Sequence, residues 1–155
     1  MRVWRLARAV YPALDGEGAR RYGGRWNAPG TPVIYAATHL SLAALELLVH
    51  VDPEDLPADL TAFEIQVPDD ASIERLDPAT LPDGWHRALD CPACREAGER
   101  WGAERRTLGL LVPSAVIPAE TNVLLNPAYP DAARLHVVAA TPFAFDPRLL
   151  SRSAR

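Results

Sequence analysis

Glu46 stands inside the run L-A-A-L-E-L-L-V, where every neighbour is apolar. An isolated carboxylate buried in such a run costs several kcal/mol unless a cation or a hydrogen-bond donor meets it. Its helical neighbours at three and four residues are Leu42, Ala43, Val49 and His50, so a strong cationic partner has to come from elsewhere in the chain. Arg25 or a ligand hydroxyl is the natural candidate. A narrow solvated stripe shared with His39 and His50 is the competing arrangement, because charged side chains are rarely fully buried. Arg25 follows two glycines in G-G-R-W-N, and Tyr35 closes the apolar segment that precedes the helix. A loop guanidinium, a strand phenol and a helix carboxylate from one compact stretch, Arg20 to Val51, are suited to lining a small-molecule pocket.

Other groups extend this set. Arg5 lies in the alternating stretch R-V-W-R-L and is placed either in the same pocket or on an exposed strand edge. Ser114 follows an apolar strand in V-P-S-A-V-I-P, just before Glu120, Thr121 and Asn122. No G-x-S-x-G elbow surrounds it, which argues against a nucleophilic triad with His50 or His136. Glycines 16, 18, 23 and 24 match neither the dinucleotide fingerprint nor a P-loop. Cys91 and Cys94 form C-P-A-C after a loop, with only His86 close by as a further metal ligand. Lacking the strand-then-helix setting of a redox pair and the four ligands of a zinc site, they are read as incidental thiols, and no metal is expected.

These groups need elements to hold them. Val3–Leu6 is expected as a first strand, residues 11–24 as a long loop, and Val33–Ala36 as a strand. A helix is expected from an N-cap at Ser41, buried on most sides. Leu60–Val67 and Ile73–Leu76 read as strands, and residues 77–92 as loop. Ala93–Arg106 reads as a helix anchored by Trp101. Thr107–Val112 reads as a central strand, the stretch from Asn122 as another, and Leu135–Thr141 as the last. The pattern gives one domain over residues 1–150 and a frayed tail at 151–155.

The chain of 155 residues carries a formal charge of -4, which argues against direct nucleic-acid binding. Residues 1–25 hold six arginines against Asp15 and Glu17, a balance of +4, leaving -8 for the remainder. A locally positive start in an acidic chain suits a small anionic ligand. Lysine is absent, so arginine supplies every strong cation and its presence is less selective than usual. No apolar run approaches the ~20 residues of a membrane helix, and the start lacks a secretory core, so a cytoplasmic location without membrane contact is expected.

W-R-L, G-G-R-W-N, Y-A-A-T, L-A-A-L-E-L-L-V-H, E-A-G-E-R-W, V-P-S-A-V-I-P and E-T-N-V-L-L-N-P-A-Y-P-D follow one another along nearly the full chain. In this order and spacing the sequence resembles the RES domain, the toxin half of Xre-RES toxin-antitoxin pairs. The resemblance implies an α+β fold, a mixed, bent β-sheet core with flanking helices similar to the ADP-ribosyltransferase fold. It implies NAD+ as substrate, with cleavage of the nicotinamide-ribose bond by a glycohydrolase or phosphorylase route. Mono-ADP-ribosylation of a cellular protein and a non-catalytic antitoxin-binding module are the alternatives; a ribonuclease is disfavoured by the charge. The family's name-giving residues fall on Arg25, Glu46 and Ser114, as catalytic groups, and further NAD+-binding positions on Arg5, Tyr22, Tyr35 and Asn122. Ser114 is expected to hold the nicotinamide or ribose end. An Xre-type helix-turn-helix antitoxin over the pocket mouth and a homodimer are the implied partners. Tyr129, where many relatives have histidine, and the C-P-A-C loop depart from the pattern.

Overall fold

The computed structural model describes residues 1–150, and the tail expected at 151–155 lies outside the described residues. Seven strands form one mixed sheet: β1 (Arg2–Arg8), β2 (Ile34–Ala37), β3 (Leu60–Gln66), β4 (Ile73–Arg75), β5 (Gly109–Pro113), β6 (Thr121–Leu125) and β7 (His136–Pro142). Their order is β4-β5-β6-β2-β1-β3-β7, antiparallel throughout except for the parallel pair β4 and β5. Four α-helices accompany it among the described residues: α1 (Glu17–Tyr22), α2 (Leu40–Leu48), α3 (Pro92–Glu104) and α4 (Pro147–Leu150). The expected α+β class with a mixed sheet is the one observed.

Alternation builds the two layers, because successive strand residues point to opposite faces. Val123 and Leu125 of β6 join Val3, Ile34, Phe63 and Ile65 in one buried cluster. Leu124 between them joins Val33, Leu110, Val112, Trp26, Trp85 and Trp101 in another. Pairing is uneven across the sheet. β1 runs against β3 in register from Arg2 opposite Gln66 to Arg8 opposite Leu60, whereas β1 meets β2 only where Trp4 faces Ala37. The sheet thus parts between β1 and β2, and this opening makes room for a cleft.

Several local expectations are corrected. The segment read as a loop contains α1, which starts after Gly16 in the left-handed region at φ 66° and ends at Gly23 at φ 71°. Glu17 is bonded to both Arg20 and Arg21 on the next turn. α2 begins at Leu40 with His39 as its cap, so Ser41 lies inside the first turn. β2 ends at Ala37 and leaves only Thr38 and His39 as connection, which starts the helix before the serine is reached. Of the residues of α2 only Leu42 is buried, because the helix rests on β1 and β2 with one face and borders the cleft with another. β5 is an interior strand, paired with β6 on one side and the edge strand β4 on the other. α3 opens at Pro92, where proline's missing N–H is no loss, with Trp101 buried as expected.

Candidate active site

A cavity of about 770 Å³ opens where the sheet parts, within the range of small-molecule sites. β1 contributes Trp4, Arg5 and Leu6, β2 contributes Tyr35, Ala36 and Ala37, and α2 contributes Ala43, Glu46 and Leu47. Asn122 from β6 and the turn Gly23–Trp26 complete the wall together with residues 86–89. Among the predicted residues, Arg5, Arg25, Tyr35, Glu46 and Asn122 are therefore brought together.

Glu46 is half-buried, and its partner is not Arg25. The Ser114 hydroxyl donates to Glu46 Oε1 at 2.7 Å, and Asn122 Nδ2 donates to the same oxygen at 2.5 Å. Both bonds fall on Oε1, so Oε2 remains the oxygen directed to other partners. The sequence expectation overlooked these donors because they lie 68 and 76 residues away, and only the pairing of β5, β6 and β2 brings them beside α2. Ser114 is fully buried and does not line the cavity. Its oxygen accepts from the Val116 and Ile117 N–H groups at 3.1 and 2.9 Å, which turns its own proton towards Glu46. In the structure the Ser114 hydroxyl is thus committed to the carboxylate.

Arg25 is held differently. Nη1 donates to the Trp85 carbonyl at 3.1 Å and Nη2 to the Ala88 carbonyl at 3.0 Å, so its partners are a loop backbone and not an acid. The turn that carries it is braced from below. The Tyr35 hydroxyl donates to Asn27 Oδ1 at 2.7 Å and accepts from the Trp26 N–H at 3.0 Å. Burial pushes the Tyr35 phenol above its usual range, against the opposing pull of the Trp26 N–H and of Arg25, which keeps it a donor. Its hydroxyl is thus committed to the turn, and the residue also lines the cavity. Asn27, which sequence reasoning missed, is 1% exposed and donates to the carbonyls of Ala19, Ala28 and Thr31. A polar residue in a glycine-rich turn was the only signal that could have found it. At Gly24 a Cβ would lie 2.6 Å from the Tyr35 hydroxyl, and at Gly98 of α3 it would lie 2.0 Å from the Trp26 carbonyl oxygen, so both glycines serve close approach.

Arg5 donates from Nη1 to the Tyr35 carbonyl at 3.3 Å across the gap between β1 and β2. Its buried Nε has no hydrogen-bond partner among the described residues. Burial lowers its pKa, with Asp15 opposing the shift, so the side chain is a partly desolvated donor facing the cavity. Tyr22 is not brought into this wall; it is 82% exposed and lines a smaller cavity of about 340 Å³ alongside Arg25 and His50. His50 and His86, assigned no ligand role beforehand, border the larger cavity. Tyr129 serves packing, its hydroxyl accepting from Ser72 at 3.1 Å.

Cys91 and Cys94 correct the reading as incidental thiols: they form a disulfide, and Cys91 caps α3 by accepting from the Cys94 N–H. Among the described residues no group of three or more His, Cys, Asp or Glu could hold a metal ion. No helix among them is long and apolar enough to cross a membrane.

A mixed sheet parted over a cavity, lined by a hydrogen-bonded carboxylate and two guanidiniums, makes this an α+β protein with a cavity suited to a polar ligand. The match to the RES domain over residues 2–146 makes the chain a member of that family. It is 41% identical to the Prs ADP-ribosylating toxin of Sphingobium sp. over 156 residues, 97% of each chain. Toxin Res of Photorhabdus laumondii is 40% identical over 153 residues, again 97% of each. The NAD(+) phosphorylase MbcT of Mycobacterium bovis is 41% identical over 94 residues, 61% of this chain and 47% of that one. In the crystal structure of the Mycobacterium tuberculosis MbcT-MbcA toxin-antitoxin complex a chain superposes with a TM-score of 0.76 at 24% identity, covering 92% of this chain and 84% of that one. That likeness shows the shared fold.

Proposed function

We propose that this protein is the toxin of a toxin-antitoxin pair and consumes NAD+ by breaking the bond between nicotinamide and ribose. The observation that carries the reading is Glu46 on the wall of a cavity it shares with Arg5 and Arg25, with Oε1 fixed by Ser114 and Asn122. A guanidinium grips a pyrophosphate through parallel charge-assisted bonds, and Arg25 and Arg5 take that role. The Tyr35 ring offers a flat face to the nicotinamide. As the glycosidic bond lengthens, positive charge builds on the ribose, and the Glu46 carboxylate stabilises it while accepting from a ribose hydroxyl through Oε2. Ser114 acts as a positioning residue: it orients Glu46 and touches no substrate. Asn122 shares that task from the cavity wall.

The acceptor distinguishes two outcomes. Transfer to water or phosphate gives free products, in line with the phosphorylase named among the relatives. Transfer to a protein side chain is the second reading, favoured by the relative named an ADP-ribosylating toxin, which matches 97% of this chain. An Xre-type antitoxin covering the cavity mouth, a homodimer and a cytoplasmic site of action complete the proposal; the partner of the solved relative supports the first of these. Purified protein incubated with NAD+ is expected to release nicotinamide, measured by chromatography, and labelled NAD+ separates free ADP-ribose from a labelled protein band. Undiminished turnover by Glu46→Gln would remove the mechanism.

A further inference from the structure

The disulfide lies beside the segment that holds Arg25. Residues 85–90 supply the carbonyls of Trp85 and Ala88 that receive the guanidinium, and residues 86–89 line the larger cavity. At its start the segment is fastened by the Trp85 and Arg87 N–H groups on Pro82 and Gly84. At its far end it is tied to α3 by the exposed Asp90–Arg95 ion pair, the Cys94 N–H on Cys91 Sγ, the Arg95 N–H on the Cys91 carbonyl, and the Cys91–Cys94 bond. An exposed ion pair adds little. Leu89 between the two ends is fully exposed. The sulfur bridge is the covalent cross-link in that attachment, added to the peptide chain that runs from Cys91 into α3.

One sulfur of the pair borders a cavity. Cys94 is fully buried against the cluster of Trp26, Trp85 and Trp101, and Cys91, 4% exposed in the same cluster, also lines the smaller cavity with Arg25, His50 and Arg95. The Cys94 N–H, which donates to Cys91 Sγ, favours a thiolate there. Bridging residues only three apart removes little entropy from the unfolded chain, so stapling is a weak reason for the bond. Where thiols are kept reduced, disulfides of this kind are catalytic or sensing.

We propose that Cys91–Cys94 is a site of reversible exchange with a dithiol reductant, and that its state sets how firmly residues 85–90 hold Arg25. A reductant thiolate attacks Cys91 Sγ; the new S–S bond forms, the Cys91–Cys94 bond breaks, and Cys94 leaves as a thiolate that takes a proton. The reductant's second thiolate then attacks its own sulfur in the mixed disulfide, releasing Cys91, which is protonated in turn. The protein gains two electrons and two protons, and the reductant leaves as a disulfide. In the oxidised state the segment is fixed and the guanidinium preorganised; in the reduced state both loosen. The effect on activity rests on the proposed function, the effect on the segment does not.

The full chain is compared oxidised, after treatment with dithiothreitol, and as Cys91→Ser/Cys94→Ser. Trypsin cleavage after the exposed Arg87 reads the segment, and NAD+ consumption reads the site. Reduction and the double substitution are expected to speed cleavage severalfold and to raise KM for NAD+ roughly tenfold, the worth of weakening a hydrogen bond to a charged group. kcat is expected to change less, and the variant to ignore the reductant. Equal cleavage in all three forms overturns the proposal, as does faster cleavage with an unchanged KM. A protein that consumes no NAD+ in any form removes the proposed function, and the cleavage rates then decide the inference alone.

Discussion

The two walls of the cleft are built on opposite principles. Glu46 is fixed by side chains on sheet strands and their ends: Ser114 follows β5, Asn122 sits on β6, and the serine is itself clamped by two backbone amides. Arg25 is fixed by a glycine turn braced by Tyr35 and by carbonyls of a segment without regular structure. A carboxylate that must meet developing charge gains from an immobile frame, since preorganised groups need no rearrangement at the moment of reaction. A guanidinium that admits a long flexible substrate gains from a support that can yield. On the proposed function, the cleft thus separates a stiff wall for the chemistry from an adaptable wall for binding.

Removing the charge from the stiff wall tests the division most severely. Glu46→Gln keeps the shape and is expected to lower the rate of nicotinamide release by about 10²- to 10³-fold with KM little changed. On the adaptable wall, Arg25→Lys keeps the charge but cannot reach both carbonyls as a fork. KM for NAD+ is expected to rise roughly 10- to 100-fold, corresponding to about 1.5–3 kcal/mol for hydrogen bonds to a charged group. An equal fall in kcat from both substitutions would erase the distinction between the walls.

Ser114→Ala is expected to lower kcat about tenfold and stability by about 1–3 kcal/mol, because the Val116 and Ile117 amides lose their acceptor. Chemical denaturation measures the second effect, and steady-state kinetics the first. Tyr35→Phe removes the brace of the turn and is expected to raise KM a few-fold with kcat nearly unchanged, at about 1 kcal/mol in stability. A kcat effect as large as that of Ser114→Ala would place Tyr35 on the chemical side. The smallest effect belongs to α1, which leads into the Arg25 turn. Bonds from Arg20 and Arg21 lower the Glu17 pKa to about 2, below its ordinary value of 4.5. A depressed folded pKa contributes stability above the ordinary value and loses it as pH falls towards 2, so the protection of α1 amides against exchange, taken relative to the intrinsic rate at each pH, is expected to fall between pH 5 and pH 2. Glu17→Gln is expected to remove that pH dependence.

The sequence carried more of the stiff wall than of the adaptable one. Alternation marked β3, helix-forming residues around Trp101 marked α3, an apolar run marked the strand ahead of Ser114, and the anomaly of Glu46 marked a site. Its partners were out of reach, because no local pattern says that β6 pairs with β2 and delivers Asn122 beneath α2. The apolar character of α2 also pointed to burial when much of it borders an open cavity, since hydrophobicity does not distinguish a packed neighbour from a ligand-sized space. On the adaptable wall, the glycines identified a turn, but α1 was hidden because three of the residues within and around it are glycine. The carbonyls of Trp85 and Ala88 have no side-chain signature at all, so their hold on Arg25 was invisible.

Gly98 shows how far this construction extends beyond the cleft. With the Trp26 carbonyl where a Cβ would have to be, α3 and the arginine-bearing turn touch backbone to backbone. A helix that lines no part of the larger cavity therefore fixes where the base of that turn sits, while the guanidinium beyond it keeps its yielding support. Tolerance to substitution at position 98 should accordingly be as narrow as at the residues that do the chemistry.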